Sequence, residues 1–324
     1  MILGGDIGGT KTTLALCDDA GRIVREQTFA SGDHPSLEAI CTAFFAGKPP
    51  ALAGACFGVA GPVVDGVARI TNLPWVIDER AVTELLGAPV ALLNDLQATA
   101  LGALALPADG FATLQLPARP TPTGTVAVIA PGTGLGEALV IHDGKRYRAL
   151  PSEGGHADFA PGTDEEVELW RYLRERYGTH VSYERVLSGN GVGDLYGFCR
   201  ARAGTPEPAW LAAELRDGDR NAVVAQNALA KKDAACVHAL ELFAGLLGAE
   251  AGNLALRGLA TGGVVIGGGI PPKILPALQT GTLLERFHNK GRFQSWTRTL
   301  GVRVALEPKA ALYGAIHYVM TSKD

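Results

Sequence analysis

One arrangement occurs twice in this chain and limits what it can fold into more than any other feature. Residues 2–29 read as a strand (Ile2 to Asp6), a glycine loop (Gly8-Gly9), a strand (Thr12 to Cys17), an Asp19-Ala20-Gly21 turn and a strand (Ile23 to Phe29). The same order returns as Thr125 to Ala130, Gly132 to Gly136, Ala138 to Ile141, Asp143-Gly144 and Arg146 to Leu150. A duplicated hairpin of this kind predicts two related units. Two glycine-rich hairpin tips could hold one polyphosphate from both sides. Glycine supports the reading: 42 of 324 residues, about 13% against a usual ~7%, gathered in clusters where backbone turns sharply or approaches a ligand.

Around these hairpins, strands alternate with helices. Pro35-Ser36-Leu37-Glu38 opens a helix to about Phe45, Ala53 to Ala60 is a buried strand, and a helix spans Asp78 to Leu86. A strand from Val90 to Leu93 then runs into Asn94-Asp95 and a small-residue helix through Leu104. This alternation predicts α/β layers with a mixed sheet. Pro107 to Thr123, rich in Pro and Thr, reads as a domain crossing. Thr163-x-x-Glu166 reads as a capping box, and Val167, Trp170, Leu173 and Tyr177 as the packed stripe of its helix. One long helical stretch is expected from about Asn221 to Leu256, with Gly245, Gly248 and Gly252 allowing close packing. Val264 to Ile266, Arg303 to Leu306 and Ala310 to Met320 are read as strand, strand and closing helix. The last helix is expected to return to the N-terminal half, giving domains of 1–106 plus 307–324 and of 107–306.

Charge and cysteine usage exclude several classes. The formal net charge is −4 with 29 basic and 33 acidic residues, so no electrostatic footprint for nucleic acid appears. The five cysteines form neither a CxxC pair nor a disulfide framework. The longest uncharged run, Pro120 to Gly136, has 17 residues and is broken by Pro and Gly, short of a membrane span. No leader is read at the N-terminus, and a cytoplasmic chain without membrane partners is expected.

The candidate chemistry starts at Asp6-Ile7-Gly8-Gly9-Thr10-Lys11. The order is wrong for a Walker A loop, and the segment leads into a strand rather than a helix. A hairpin tip whose N–H groups face phosphate oxygens fits better, with Thr10 and Lys11 as added donors and Asp6 able to hold Mg²⁺ through water. Gly132-Thr133-Gly134-Leu135-Gly136 also precedes a strand, which argues against a dinucleotide fingerprint. Gly189-x-Gly191-x-Gly193 is read as a helix-breaking turn. Asn94-Asp95 lies at a strand's carboxyl end, where α/β sheets place ligands, so Asp95 is either a helix N-cap or an acceptor for a substrate hydroxyl proton. Glu153, His156 and Glu184, with Asn94 and Asp95, suit a polyhydroxylated ligand. Glu153-x-x-His156 lacks the partners of a zinc site.

The ordered set of motifs resembles the bacterial glucokinase family. It comprises Leu3 to Thr12, Gly58-Val59-Ala60-Gly61-Pro62, Thr71-Asn72-Leu73-Pro74-Trp75, Leu93-Asn94-Asp95, Pro131 to Gly136, Glu153 to Pro161, Glu184 to Gly189, Gly262 to Ile270 and Asn289 to Phe293. The resemblance runs from residue 2 to about 318. It implies two ribonuclease-H-like α/β domains of the actin-like ATPase fold with an interdomain cleft, and ATP-dependent phosphorylation of glucose at its 6-hydroxyl. It implies a first phosphate loop at Gly5, Asp6, Ile7, Gly8, Gly9 and Thr10, and a second at Gly132, Thr133, Gly134 and Gly136. Gly267, Gly268 and Gly269 would lie by the adenosine. Asn94, Asp95, Glu153, His156 and Glu184 would hold glucose, with Asp95 as base. ATP and Mg²⁺, the latter bound through ATP, are the expected cofactors, and a homodimer the expected assembly. No cysteine follows His156 until Cys199, unlike the zinc-binding repressor/ORF/kinase relatives. The alternatives are a kinase for another hexose, mannose or glucosamine, and a non-catalytic regulatory ATPase of the same fold.

Overall fold

The computed structural model describes residues 1–70 and 73–322, so Thr71 and Asn72 of the 71–75 loop lie outside it. The chain divides into two compact units: 1–110 with 140–151 and 307–324, and 111–139 with 152–306. The sequence-based division of 1–106 plus 307–324 against 107–306 differs from these units chiefly at 140–151.

The first unit is built on β1 (Ile2–Ile7), β2 (Lys11–Cys17), β3 (Ile23–Ala30), β4 (Gly54–Val59) and, later in the chain, the strand Val90–Asn94, in the order β3-β2-β1-β4-(Val90–Asn94). The first three strands form an antiparallel meander. Beyond β1 the sheet is parallel, with Ile7 beside Val59 and Val59 beside Asn94. Three strands therefore end together at one edge. Helix α1 (Leu37–Phe45) starts at Ser36, whose hydroxyl accepts from Ala39 N–H, and buries Leu37, Ile40 and Phe44. A small antiparallel sheet of β5 (Val63–Val64), β6 (Val67–Arg69) and β7 (Val76–Asp78) leads into α2 (Glu79–Leu86), capped by Asp78. Leu3, Leu14, Phe57, Val82 and Leu86 join the α1 residues in one core. Strand β8 (Val90–Asn94) passes directly into α3 (Asp95–Ala105).

A second sheet is built from β9 (Phe111–Gln115), β10 (Val126–Pro131), β11 (Leu135–His142), β12 (Tyr147–Leu150), β13 (Gly263–Ile266) and β14 (Val302–Ala305). They form one sheet in the order β12-β11-β10-β13-β14-β9, with β10, β13 and β14 parallel. The end of β11 and all of β12 fall within the first unit, where Gln97 Nε2 of α3 donates to Ala149 O (3.1 Å). The helices of the second unit are α4 (Asp164–Tyr177), α5 (Gly189–Ala203), α6 (Ala209–Asp217), α7 (Arg220–Leu229), α8 (Ala234–Gly258), α9 (Leu275–Leu278), α10 (Thr282–His288) and α11 (Gln294–Thr297). The closing helix α12 (Ala310–Thr321) packs on β1, β4 and α3 of the first unit.

Three local expectations are corrected. The stretch from Asn221 to Leu256 is two helices: Lys231 adopts φ 54° and Asp233 caps α8 by accepting from Cys236 N–H (2.9 Å). Thr163 caps α4, but the Glu166 carboxylate turns to Gly162 N–H (2.6 Å) and to Arg286 (2.5 Å) instead of closing a capping box. Gly189-x-Gly191-x-Gly193 opens α5 rather than breaking a helix, with Ser188 as cap. Its glycines permit crowding: a Cβ on Gly191 would stand 2.7 Å from the Val186 backbone, and one on Gly193 2.7 Å from Asn221 Oδ1.

Helix α8 is long and apolar enough to cross a bilayer by composition alone, yet 67% of that window is buried within its unit. Ala239, Phe243, Leu247 and Ala251 are core residues there, and Gly248 lets the backbone of α10 approach.

Candidate active site

In the first unit the chemistry collects at the carboxyl edge of β1, β4 and β8. Asp6 is the penultimate residue of β1. The turn that follows is closed by Gly8 N–H donating to Lys11 O (3.0 Å), and its far side is held by Ser31, whose N–H donates to Thr10 O (3.0 Å) and whose hydroxyl donates to Gly8 O (2.8 Å). Ser31 Oγ also bonds Thr12 Oγ1 (3.0 Å), with both residues fully buried. The hairpin tip is thus preorganised, with Thr10 and Lys11 on its exposed side. Gly5 has a different explanation from the one its motif suggests. It is buried in β1, and a Cβ there would stand 2.9 Å from Leu14 Cδ2 and closer still to the Phe57 ring.

Asn94 and Asp95 divide the two readings that the sequence left open for Asp95. Asn94 is the N-cap of α3, accepting from Leu96 N–H (2.9 Å), while Gln97 Oε1 accepts from Asn94 N–H (3.1 Å), a full capping box. Asn94 Nδ2 also donates to Gly61 O (3.1 Å), tying the strand end to the Gly58–Pro62 segment. Asp95 is the first helical residue, exposed, and accepts from Leu96 N–H (2.8 Å). A carboxylate here is favoured by the helix dipole. Burial, then the neighbouring Asp95 charge, push the Asp6 carboxyl up to about 6 against the pull of Lys11. Two neighbouring carboxyl groups are a donor set whose mutual repulsion a divalent cation would relieve.

In the second unit the carboxyl ends of β10 and β13 play the same part. Gly132 N–H donates to Gly134 O (2.8 Å), closing the loop, and Gly132 O accepts from Gly189 N–H (2.8 Å), so α5 begins against the glycine loop. Glu184, on a one-turn 3₁₀ helix (Tyr183–Arg185), lays its carboxylate on the same loop. Leu135 N–H donates to Glu184 Oε2 (3.1 Å), and a Cβ on Gly134 would stand 2.5 Å from that oxygen. Gly267 N–H donates to Ile129 O (2.8 Å) and Ile270 N–H to Pro131 O (3.3 Å), which fastens the Gly267–Gly269 turn to the end of β10. Gly268 has φ +85°, with the Pro131 carbonyl where a Cβ would go.

Glu153 precedes and His156 ends a 3₁₀ turn (Gly154–His156), and both are open to solvent, their side chains 3.9 Å apart (Nε2 to Oε2) and 79% and 60% exposed. His180 Nε2 bonds His156 O (3.1 Å) while its Nδ1 pairs with Asp158 (3.1 Å). The second unit therefore brings Gly132 to Gly136, Glu184 and Gly267 to Gly269 to one end of its sheet. Among the described residues no group of three His, Cys, Asp or Glu side chains is arranged for a metal.

Sequence reasoning missed the supports of these loops. Ser31 carries no signal in the sequence, and Thr12 reads only as one residue of a β-leaning strand. Glu137, one residue beyond the second glycine loop, also passed unnoticed.

The sequence matches the glucokinase family over residues 3–322. The chain belongs to the glucokinase family. A glucokinase of Synechocystis is 41% identical, aligned over 97% of this chain and 96% of its own length. Among solved structures, a glucokinase from an Antarctic psychrotroph superposes with TM-score 0.83 at 30% identity, covering 98% of each chain. A ROK-family glucokinase from Streptomyces griseus, in complex with glucose and AMPPNP, has TM-score 0.65 at 23% identity over 98% of each chain, a likeness of fold. The fold of this family member is accordingly the actin-like ATPase fold of the sugar kinases.

Proposed function

We propose that this chain transfers the terminal phosphoryl group of ATP to the 6-hydroxyl of glucose. The observation that carries the reading is Asp95, exposed on the first turn of α3 at the carboxyl edge of a parallel sheet, with Asp6 as its electrostatic neighbour. Asp95 orients the sugar hydroxyl and takes its proton, a contribution of about 10²–10⁴-fold. Asn94, Glu153, His156 and Glu184 bind the remaining hydroxyls, and their binding energy fixes the sugar for in-line attack. The hairpin of Asp6 to Thr10, with Gly5 packed behind it, and the loop of Gly132, Thr133, Gly134 and Gly136 hold the phosphates. Gly8 and Gly132 contribute shape there, since their N–H groups are spent on closing their own turns. Gly267 to Gly269 lie by the adenosine. Asp6 would be the residue that helps hold an ATP-borne Mg²⁺, and the ion would neutralise charge on the phosphoryl oxygens.

The same reading makes the protein a cytoplasmic homodimer that feeds glycolysis. It also assigns the small catalytic domain to 1–106 plus 307–324, and the nucleotide loops and dimer helices to 107–306.

A coupled assay with ATP, Mg²⁺ and glucose, mannose, fructose, glucosamine and N-acetylglucosamine tests the substrate. Glucose is expected to give the highest kcat/KM by about tenfold or more, a margin of ~1.4 kcal/mol. D95N is expected to keep glucose binding and lose at least about tenfold in kcat. Retention of more than a tenth of wild-type kcat would remove Asp95 from the role of base.

A further inference from the structure

Nothing in this mechanism uses Glu137, yet it is the most unusual carboxyl group in the second unit. It points inward from β11 with 1% exposure, and Glu250 of α8, at 0%, lies beside it. Neither Glu137 oxygen accepts a hydrogen bond from any N–H or O–H group among the described residues. Arg257 Nη1 stands near both carboxyls, 2.6 Å from Glu250 Oε1 and 3.6 Å from Glu137 Oε2. Asn253 Nδ2 donates to Glu250 Oε2 (2.8 Å) and to the Tyr183 hydroxyl (3.2 Å), while Lys290 Nζ donates to Asn253 Oδ1 (2.8 Å) and Ala249 O (2.8 Å). The groups facing the pair are therefore Arg257, Lys290, Asn253 and Tyr183. Two adjacent buried carboxyls repel when both are ionised, and the remaining bond available to Glu137 is a proton shared with Glu250.

The roof of this pocket is Gly154. A Cβ at that position would overlap Glu137 Oε2, and would stand 3.0 Å from Ser152 Oγ, which accepts from Gly154 N–H (2.8 Å). Gly154 begins the turn that presents His156 and is preceded by Glu153.

We propose that Glu137 is a positioning residue for the Glu153–His156 turn: its carboxyl, joined to Glu250 by one shared proton, is the floor on which Gly154 rests, and loss of that proton displaces the turn and weakens sugar binding. The inference rests on the reading that Glu153 and His156 contact the sugar. When the acid gives its proton to solvent, two anions face one another in the core, and repulsion drives Glu137 against the Gly154 backbone. Burial, then Glu250, push the Glu137 carboxyl up to about 8, so the change falls just above neutrality. Burial lowers Lys290 to about 8 as well, which is why a comparison of variants is needed.

The test is the equilibrium dissociation constant of glucose, without nucleotide, followed by tryptophan fluorescence from about pH 6 to about pH 9.5. For the wild type it is expected to stay constant to about pH 7.5 and to rise about tenfold per unit above about 8. E137Q offers an amide of the same shape that cannot ionise, leaves Lys290 in place, and is expected to be flat. E250Q removes the same paired charge from α8 and should flatten the profile equally if E137Q fails to fold. A flat wild-type profile, or a rise in E137Q equal to that of the wild type, overturns the proposal. H156A at about pH 7 separates the two ideas: unchanged glucose affinity there overturns the sugar-binding reading itself, whereas weakened H156A with a flat wild-type profile overturns only the role of Glu137.

Discussion

Asp6 and Glu137 show how single residues are set by surroundings that lie far away in sequence. Asp6 rises from 3.8 to about 6 through burial and Asp95, and Glu137 from 4.5 to about 8 through burial and Glu250. A carboxyl whose folded value is raised takes up protons more readily folded than unfolded. Its stabilising effect is complete below the unfolded value and is lost as pH climbs through the folded one. For Asp6 that window runs from 3.8 to about 6, and for Glu137 from 4.5 to about 8. D6N is therefore expected to raise Tm more at about pH 8 than at about pH 4.5, measured by thermal denaturation in both buffers. A larger gain in acid would mean that Lys11 outweighs burial at this position.

At the level of elements, Asp95 rides on α3, and α3 is seated in part by its crossing with α12. Helices α3 and α12 meet where Gly102 faces the Ala310 carbonyl and Gly314 faces the Ala98 carbonyl, each where the other helix leaves no room for a Cβ. Gly58 of β4 allows the same closeness from below, since a Cβ there would stand 2.7 Å from Ala98 Cβ. The sequence shows why three glycines and a run of alanines are there only after the helices are seen together. G314A forces a methyl group into backbone that cannot yield as a flexible side chain would. It is expected to cost about 3 kcal/mol or more, read from urea denaturation. A loss below about 1 kcal/mol would mean that the crossing yields to a methyl group. G245A is the control: its Cβ would meet only the Arg286 and Thr282 side chains, at 3.4 and 3.5 Å, and little change is expected.

For the whole molecule, the closing helix makes the first unit discontinuous, with β1, β4 and α3 completed by residues almost at the other end of the chain. A chain ending at Leu306 is expected to lose amide-exchange protection in β1, β4 and β8, while β10, β13 and α8 of the second unit keep theirs. Equal loss in both units would show that they fold as one. Much of this architecture is legible in the sequence. The repeated strand–glycine loop–strand order, the helix starts near Ser36 and Asp78 and the period of the apolar strands are local properties, because turn chemistry and side-chain alternation are decided within a few residues. Asp95 was legible as a carboxylate at a strand end, but whether it capped the helix depended on Asn94 and Gln97 closing around it. The split between α7 and α8, the second use of Glu166, the clamp by Ser31 and the buried Glu137–Glu250 pair were not legible. Each depends on a partner brought near only by folding, and desolvation has no meaning for a residue until its neighbours are fixed. Sequence alone determined the order of most strands and helices and which glycine loops and carboxylates are candidates for chemistry. Tertiary structure decided which of those groups are buried, paired and charged, because these depend on distances that the chain acquires only when its elements pack.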